Sequence, residues 1–115
     1  MSKQSISLLT LSCVLAGTAA ACRFVTPAGA QAGADVNTLG VPRTAGAATD
    51  KVPVDVLGTT VVEAGAAVAA GDTIKSDSTG RAITWATSGA KVALALEAAT
   101  AAGQFIEVLL ITNVA

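Results

Sequence analysis

The residue types that perform most protein chemistry are scarce in this chain of 115 residues. Histidine is absent, which removes both the commonest general base and the commonest transition-metal ligand. The two cysteines, Cys13 and Cys22, are too few for a four-ligand zinc site. No serine or threonine has a histidine to activate it, and no Gly-x-Ser-x-Gly elbow is present. The sequence therefore predicts no catalytic residue, no bound metal and no cofactor, and we do not expect an enzyme.

The aspartates offer two further kinds of chemistry. Asp50, Asp72 and Asp77 are possible ligands of a hard cation, but their spacing matches no calcium loop, and turn capping explains each of them better. Asp72 also lies in a Val-x-x-Gly-Asp-x-Ile sequence that occurs in biotinyl and lipoyl carrier domains. Such carriers need a lysine at a hairpin tip, whereas residues 76–80 contain none and Lys75 precedes them. The remaining acids are interpreted as solvated or interface charges, namely Glu63, Glu97 and Glu107.

Composition limits both the core and the partners. Of the hydrophobic residues, 26 are alanine, so valine, leucine and isoleucine must form a small core in a single domain. A domain of this size gains much from self-association, and we expect an oligomer. The seven basic residues are not clustered, and one tryptophan and two phenylalanines are too few for a base-stacking platform. Nucleic acid is therefore not an expected partner.

The N-terminal segment permits two interpretations. Lys3, a short apolar stretch and the alanines before Cys22 resemble a lipoprotein signal, and the alternative is therefore an exported bacterial surface lipoprotein anchored through Cys22. Only one basic residue precedes the stretch, however, and hydroxyl side chains interrupt it. We expect the two cysteines to be free thiols rather than a disulfide.

Apolar and polar residues alternate from Ile6 to Cys13, with a one-residue phase slip at Leu8–Leu9, and this period of two is typical of a β-strand. The run is too short and too rich in hydroxyl groups to span a membrane. We therefore predict that residues 1–22 form an extended β-arm that lies on a neighbouring subunit or on another protein. Its candidate contact residues are Ile6, Leu8, Leu9, Leu11, Val14 and Leu15.

The rest of the chain, residues 23–115, has the pattern of a small all-β barrel or sandwich. Short strands are predicted at 23–26, 39–44, 52–57, 61–63, 73–75, 81–86, 91–97 and 104–111, with turns at 58–59 and 76–80. Within residues 61–77, Gly65 and Gly71 are placed where the backbone needs a positive φ or a close approach. A helix in the alanine-rich segment before Gly103 is limited to one turn.

The last predicted strand is apolar on both faces, which is typical of a central strand or of one covered by a partner. Its candidate residues for the core or for an interface between subunits are Phe105, Ile106, Val108, Leu109, Leu110 and Ile111. A faint internal repeat relates residues 39–43 and 52–56 to residues 94–97 and 106–108. The repeat suggests two equivalent hairpins in one barrel, although drift in alanine-rich sequence can also produce it.

Two segments carry a resemblance to a known family. Residues 63–82, with Gly65, Gly71–Asp72–Thr73–Ile74 and the Ser-Asp-Ser-Thr-Gly turn, resemble the capsid decoration (cement) proteins of tailed bacteriophages. Residues 95–110 are similar to the same family, and the order and spacing of the pattern extend the likeness over residues 23–115. The signal-like alanines before Cys22 depart from the family pattern.

The resemblance implies a small single-domain β-barrel or β-tulip-like fold and a structural role in the virion. Family members commonly sit as trimers on the outer face of the head and clamp neighbouring major capsid protein subunits. An N-terminal segment that docks by strand addition would explain the apolar arm. By this resemblance the chain is made and assembled in the bacterial cytoplasm and resides on the capsid exterior, with no membrane or nucleic acid as partner.

Overall fold

The computed structural model describes residues 5–111, which form seven β-strands and contain no helix. Residues 1–4 of the predicted arm and residues 112–115 of the predicted domain lie outside the described residues. The strands join in one sheet, and the prediction of an all-β chain is confirmed. Their bounds are β1 Ser7–Val14, β2 Val41–Pro42, β3 Lys51–Glu63, β4 Thr73–Ser76, β5 Ala82–Thr84, β6 Ala93–Ala95 and β7 Phe105–Leu110.

The sheet curls into a barrel over its second half. Its order is β1-β3-β7-β6-β4-β5, all pairs being antiparallel, and β2 pairs with β3 outside this path. A parallel bridge from Ala64 to Ala82 then connects the end of β3 to β5, and the Gly65 N–H donates to the Ala82 carbonyl at 2.8 Å. The predicted hairpin around residues 76–80 is confirmed, since β4 and β5 flank it.

The longest strand, β3, passes through a position where the sequence predicts a turn. Residues 58–59 were expected to reverse the chain, but β3 runs without a break from Lys51 to Glu63, so that prediction is wrong. Gly58 has a φ of +99°, and a Cβ atom there would collide with the Ile6 carbonyl. The glycine bends β3 without ending it, and the two parts of the strand then pair with different neighbours.

The strand β1 lies antiparallel to the first part of β3. The predicted phase slip is confirmed, because Ser7 pairs with Gly58 and Leu9 with Leu57, which leaves Leu8 as an extra residue. A second irregularity follows at once, where Val56 is the extra residue on β3. The two bulges compensate, so the register from Thr10 onward is regular. One side of the arm therefore pairs with this chain's own β3.

The backbone pairing repeats itself along the chain. Residues 10–14 of β1 pair with residues 51–55 of β3 in five consecutive positions. Residues 59–63 of β3 pair with residues 105–109 of β7 in the same five-residue pattern. In each half, a short strand also pairs with the later of these two strands. Val41 of β2 pairs with Asp55 of β3, and Leu94 of β6 pairs with Leu109 of β7. We name residues 10–56 repeat 1 and residues 59–110 repeat 2.

Other contacts match between the repeats. Val25 bridges to Gln31 and Gly40, just as Ile74 pairs with Thr84 and Ala93. Leu15 exchanges backbone hydrogen bonds with residues 49–50, and Ala64 does so with residues 103–104. Positive φ angles also correspond, 72° at Thr49 and 89° at Gly103. The predicted repeat of two hairpins is confirmed in the pairing and extends over most of the chain.

Each repeat has its own core, and the two cores differ in size. The smaller core consists of repeat 1 residues, among them Cys13, Leu15, Val25, Val52 and Val54. The larger core contains the corresponding residues of repeat 2, and three residues of repeat 1 join it, namely Phe24, Ala32 and Val41. One face of repeat 1 therefore covers the core of repeat 2.

Candidate functional site

The predicted N-terminal contact residues lie along one edge of the sheet. The most exposed is Leu8, at 73%, and Leu15 is the exception because it is buried in the smaller core. Leu57, which pairs with Leu9, adds another exposed leucine to the same edge. We name as the β1 patch the exposed side chains of Ile6, Leu8, Leu9, Leu11, Val14 and Leu57.

The β1 patch exists because β1 is an edge strand. It pairs with β3 on one side, and within residues 5–111 no strand pairs with its other side. An edge strand presents backbone donors and acceptors to any further strand that approaches it. Large apolar side chains beside such an edge are the chemistry expected of a surface that binds another protein.

The second predicted set, on β7, is divided between two faces. Ile106, Val108 and Leu110 point into the larger core, while Phe105 and Leu109 are exposed on the opposite face and Ile111 is exposed just beyond the strand. The strand is central, with β3 on one side and β6 on the other. Its alternate residues therefore serve the core and the surface separately, as the pleat of a strand requires.

A polar network that sequence reasoning missed lies where the two repeats meet. Asp55 is 0% exposed, and its Oδ1 accepts hydrogen bonds from Arg43 Nε at 2.8 Å and Thr10 Oγ1 at 3.1 Å. Its Oδ2 accepts from the Ser5 and Thr60 hydroxyls, each at 3.2 Å. The only signal in the sequence is an aspartate in a valine-rich strand, which predicts a buried, partnered carboxylate.

Burial is the largest single influence on the Asp55 carboxyl and raises its pKa. The hydrogen bonds from Arg43, Thr10 and Ser5, with the charge of Arg43, together outweigh burial and hold the pKa of Asp55 below its ordinary value. A cavity of about 300 Å³ lies beside the network. Each oxygen of the carboxylate already accepts two hydrogen bonds. The carboxylate therefore joins neighbouring segments and has no free acceptor position for a catalytic proton transfer.

Cys22, which lines this cavity, is a free thiol, as is Cys13, in agreement with the prediction. Burial, and then the nearby Glu63 carboxylate, raise the pKa of Cys22, so its thiolate form is disfavoured. The lipoprotein alternative would remove the residues before Cys22 by cleavage. Those residues include β1 and the buried Leu15, which belong to the sheet and to the smaller core.

The predicted turn-capping aspartates are confirmed. Asp50 Oδ2 accepts from the Ala47 N–H at 2.9 Å, and Asp72 Oδ2 accepts from the Ala69 N–H at 3.0 Å. Asp77 Oδ1 accepts from two backbone N–H groups in its turn. Burial raises the pKa of Asp77, but the backbone and side-chain hydrogen bonds, with the charge of Arg81, hold it below its ordinary value.

The glutamates are less solvated than the sequence predicts. Glu63 lies between Arg23 and Arg81, at 3.3 and 3.4 Å, and so links the two repeats. Glu107 is buried, and its Oε1 has no hydrogen-bond partner among the described residues. The prediction of a solvated charge is wrong for Glu107, because its side chain is buried within the chain although Phe105 and Leu109 on the same face of β7 are exposed.

Over residues 5–111, no group of three or more His, Cys, Asp or Glu side chains is arranged to hold a metal ion. The same residues include no helix long and apolar enough to cross a membrane. The candidate functional site consists of the β1 patch and the exposed residues of β7, Phe105 and Leu109.

The chain was compared with curated proteins, solved structures and protein families. A search of curated proteins finds no match. The structure is similar to the N base of the head fiber protein gp8.5 of bacteriophage phi29, with a TM-score of 0.71 and 17% identity, over 90% of this chain and 93% of that one. At this identity the likeness shows a shared fold. The family model of phage cement proteins matches residues 4–110, nearly the whole chain. The chain therefore belongs to the phage cement protein family.

Proposed function

We propose that this protein binds the outer surface of a phage head as a trimer and joins neighbouring major capsid protein subunits, which stabilises the capsid. The observation that carries the proposal is the β1 patch, a set of large apolar side chains beside a strand edge with which no other strand of residues 5–111 pairs. Family membership supports a capsid structural role. In this proposal the chain is assembled in the host cytoplasm and then resides on the virion exterior.

The β1 patch suits a binding mode that combines main-chain pairing with apolar burial. A strand of the capsid protein that adds to the free edge of β1 would gain backbone hydrogen bonds, and the leucines beside it would gain contact area. Burying one exposed leucine side chain contributes about 1.5–3 kcal/mol. Three such patches in a trimer bind several capsid subunits at once, so modest single contacts give strong attachment through avidity.

Removal of residues 1–22 is too blunt a test of this role. The segment contributes Cys13 and Leu15 to the smaller core, so truncation would also unfold part of repeat 1. Ile6 and Leu8 lie at the far end of β1 and are exposed, at 55% and 73%. Substitution of these two residues removes apolar contact area while it leaves the core intact.

The test measures binding of the Ile6→Ser/Leu8→Ser variant to heads that lack the protein, by the amount that sediments with the heads over a concentration series. We expect at least about tenfold weaker binding, because the loss of apolar contact exceeds 1.4 kcal/mol. The Leu8→Met variant is the matched control and should bind like the unaltered protein. Thermal unfolding establishes that all variants are folded. Unchanged occupancy by the double variant at every concentration would contradict the proposed role of β1.

A further inference from the structure

We propose that copies of this protein join head to tail, with the exposed face of repeat 2 of one copy packed on the partly open core of repeat 1 of the next. The contact would reproduce between chains the contact that repeat 1 makes with repeat 2 inside each chain, which we name the internal interface. This inference rests on the self-association in the proposed function. It assigns Leu11 of the β1 patch to the contact between copies and leaves Ile6 and Leu8 to the capsid.

The internal interface shows what a repeat does with its outer face. Phe24, Ala32 and Val41 belong to repeat 1, yet all three are buried in the larger core of repeat 2. Backbone hydrogen bonds accompany them: the Phe24 N–H donates to Gly80 and the Glu63 N–H donates to Cys22, both at 2.8 Å. The outer face of repeat 1 is thus a specific docking surface for repeat 2.

Within residues 5–111, the corresponding outer face of repeat 2 has no such cover. The pairing pattern places Thr73 where repeat 1 has Phe24, Trp85 where it has Ala32, and Leu94 where it has Val41. All three remain partly exposed, and Leu109, at the position of Asp55, is 38% exposed. We name Thr73, Trp85, Leu94 and Leu109 the donor face.

The smaller core is open where the larger core is closed. In repeat 2, Thr60, Val92 and Leu110 are buried beneath residues of repeat 1. Their counterparts in repeat 1 are Leu11, Leu39 and Val56, of which Leu11 is 41% exposed and the other two are partly buried at the margin of the smaller core. We name Leu11, Leu39 and Val56 the acceptor face.

One residue pair argues that a second copy occupies the acceptor face. Inside the chain, Asp55 on the outer face of repeat 1 accepts a hydrogen bond from Thr60, on the core side of repeat 2, at 3.2 Å. At the two free surfaces the same positions are held by Leu109 and Leu11. Both members of a buried polar pair are replaced together by leucine, which keeps the two surfaces complementary in an apolar contact.

The arrangement has a definite symmetry. The donor and acceptor faces are different surfaces, so the contact is heterologous and every copy carries one of each. Such a contact closes into a ring when the rotation from one copy to the next divides a full turn, and it gives an open filament otherwise. The trimer of the proposed function is the ring of three copies, in which every face is occupied. The free end of β1 at Ile6 and Leu8 belongs to neither face and stays available to the capsid.

The test uses the full chain without capsids and measures its mass by sedimentation and native mass spectrometry. Leu109→Asp and Leu11→Asp should each weaken self-association at least about 100-fold, because a carboxylate would be buried without a partner. Both leucines are exposed, so both variants should stay folded. The control is Leu8→Asp, which should keep the oligomer of the unaltered protein.

Mixing the two variants distinguishes head-to-tail contact from other modes. The Leu109→Asp chain retains its acceptor face and the Leu11→Asp chain retains its donor face, so an equimolar mixture should form heterodimers that do not close into a ring. A mixture that stays monomeric, a monomeric unaltered protein, or an unaffected oligomer in both variants would overturn the inference. Capsid binding by the Ile6→Ser/Leu8→Ser variant is measured separately and therefore reports on the proposed function alone.

Discussion

At the scale of single residues, Asp55 joins three segments of the chain. Its carboxylate accepts hydrogen bonds from Thr10 in β1, from Arg43 just after β2 and from Thr60 in the second part of β3. A buried carboxylate is stabilising only when such partners are complete. Its contribution to the fold should therefore depend on its charge and on pH.

We predict that Asp55→Asn lowers the free energy of unfolding by about 2 kcal/mol at neutral pH, because hydrogen bonds to a charged group are lost. The pKa of Asp55 is below its ordinary value in the folded state. Its stabilisation is therefore complete above the unfolded-state pKa and is lost as the pH falls through the lower, folded-state pKa. The pKa of Asp77 is also lowered, so its contribution to stability is likewise lost on acidification.

Urea unfolding at fixed protein concentration, from neutral pH to about pH 3, measures this effect. The stability of the Asp55→Asn variant should fall less steeply with acidification than that of the unaltered protein. Asp50→Asn is the matched control, since Asp50 is exposed and caps one turn. An equal loss of stability on acidification in the Asp55→Asn variant would contradict the role assigned to the carboxylate.

Thr49 is a residue with backbone strain that its counterpart avoids. Its φ is 72°, a conformation that β-branched residues rarely adopt, whereas Gly103 occupies the same place in repeat 2. We predict that Thr49→Gly raises the free energy of unfolding by about 1 kcal/mol, because left-handed strain of roughly 1–2 kcal/mol exceeds the entropic cost of glycine. Thr44→Gly, in the same loop, lacks this strain and should be destabilising. Chemical denaturation measures the free energy of unfolding of both variants. A change of the same sign in the two variants would refute the explanation.

At the scale of the elements, β3 decides the architecture because it belongs to both repeats. Its first part pairs with β1 and its second part with β7. Gly58 makes this possible, since its positive φ bends the strand and the Ile6 carbonyl lies where a side chain would begin. A side chain at this position should separate β1 from β3.

We predict that Gly58→Ala lowers the free energy of unfolding by about 2 kcal/mol or more, through backbone strain and collision with β1. Gly71→Ala shares a positive φ, but no atom lies within 4 Å of its added Cβ, so it should cost only about 1 kcal/mol. Urea unfolding measures both, and proteolysis should cleave the Gly58→Ala variant faster near β1. Equal costs for the two variants would show that the close approach of Ile6 does not matter.

At the scale of the whole molecule, the shared strand predicts that the two repeats unfold together. Val54 lies in the smaller core and Val108 in the larger one, and both are fully buried. We predict that Val54→Ala and Val108→Ala each cost about 2 kcal/mol and that each shifts one common transition. Far-UV circular dichroism follows the whole sheet, and fluorescence of Trp85, the sole tryptophan, follows repeat 2.

The informative comparison is the effect of Val54→Ala on the Trp85 signal. Because β3 is shared by the two repeats, loss of stability in repeat 1 should also destabilise repeat 2. The fluorescence midpoint should therefore move as far as the circular dichroism midpoint. Two separate transitions, with the Trp85 midpoint unchanged, would mean that the repeats are independent units. Fixed protein concentration is needed throughout, since self-association adds to apparent stability.

Local chemistry allowed much of this molecule to be predicted. The period of two at residues 6–13 predicted β1, and its phase slip predicted the bulge at Leu8. The small, hydrogen-bonding side chains of Asp50, Asp72 and Asp77 predicted capped turns. These features depend on residues close together in the chain, so the local sequence is sufficient to predict them.

Which surfaces are free and how the two halves correspond could not be predicted without the folded chain. Asp55 and Leu109 occupy one place in the repeat, as do Thr60 and Leu11, so the residue types differ while the backbone pairing is retained. Whether a position carries a polar or an apolar residue depends on what surrounds it. Those surroundings are set here by contacts between residues far apart in the chain. The repeat was therefore faint in the sequence and plain in the hydrogen bonds, because backbone pairing is indifferent to the side chains that it carries.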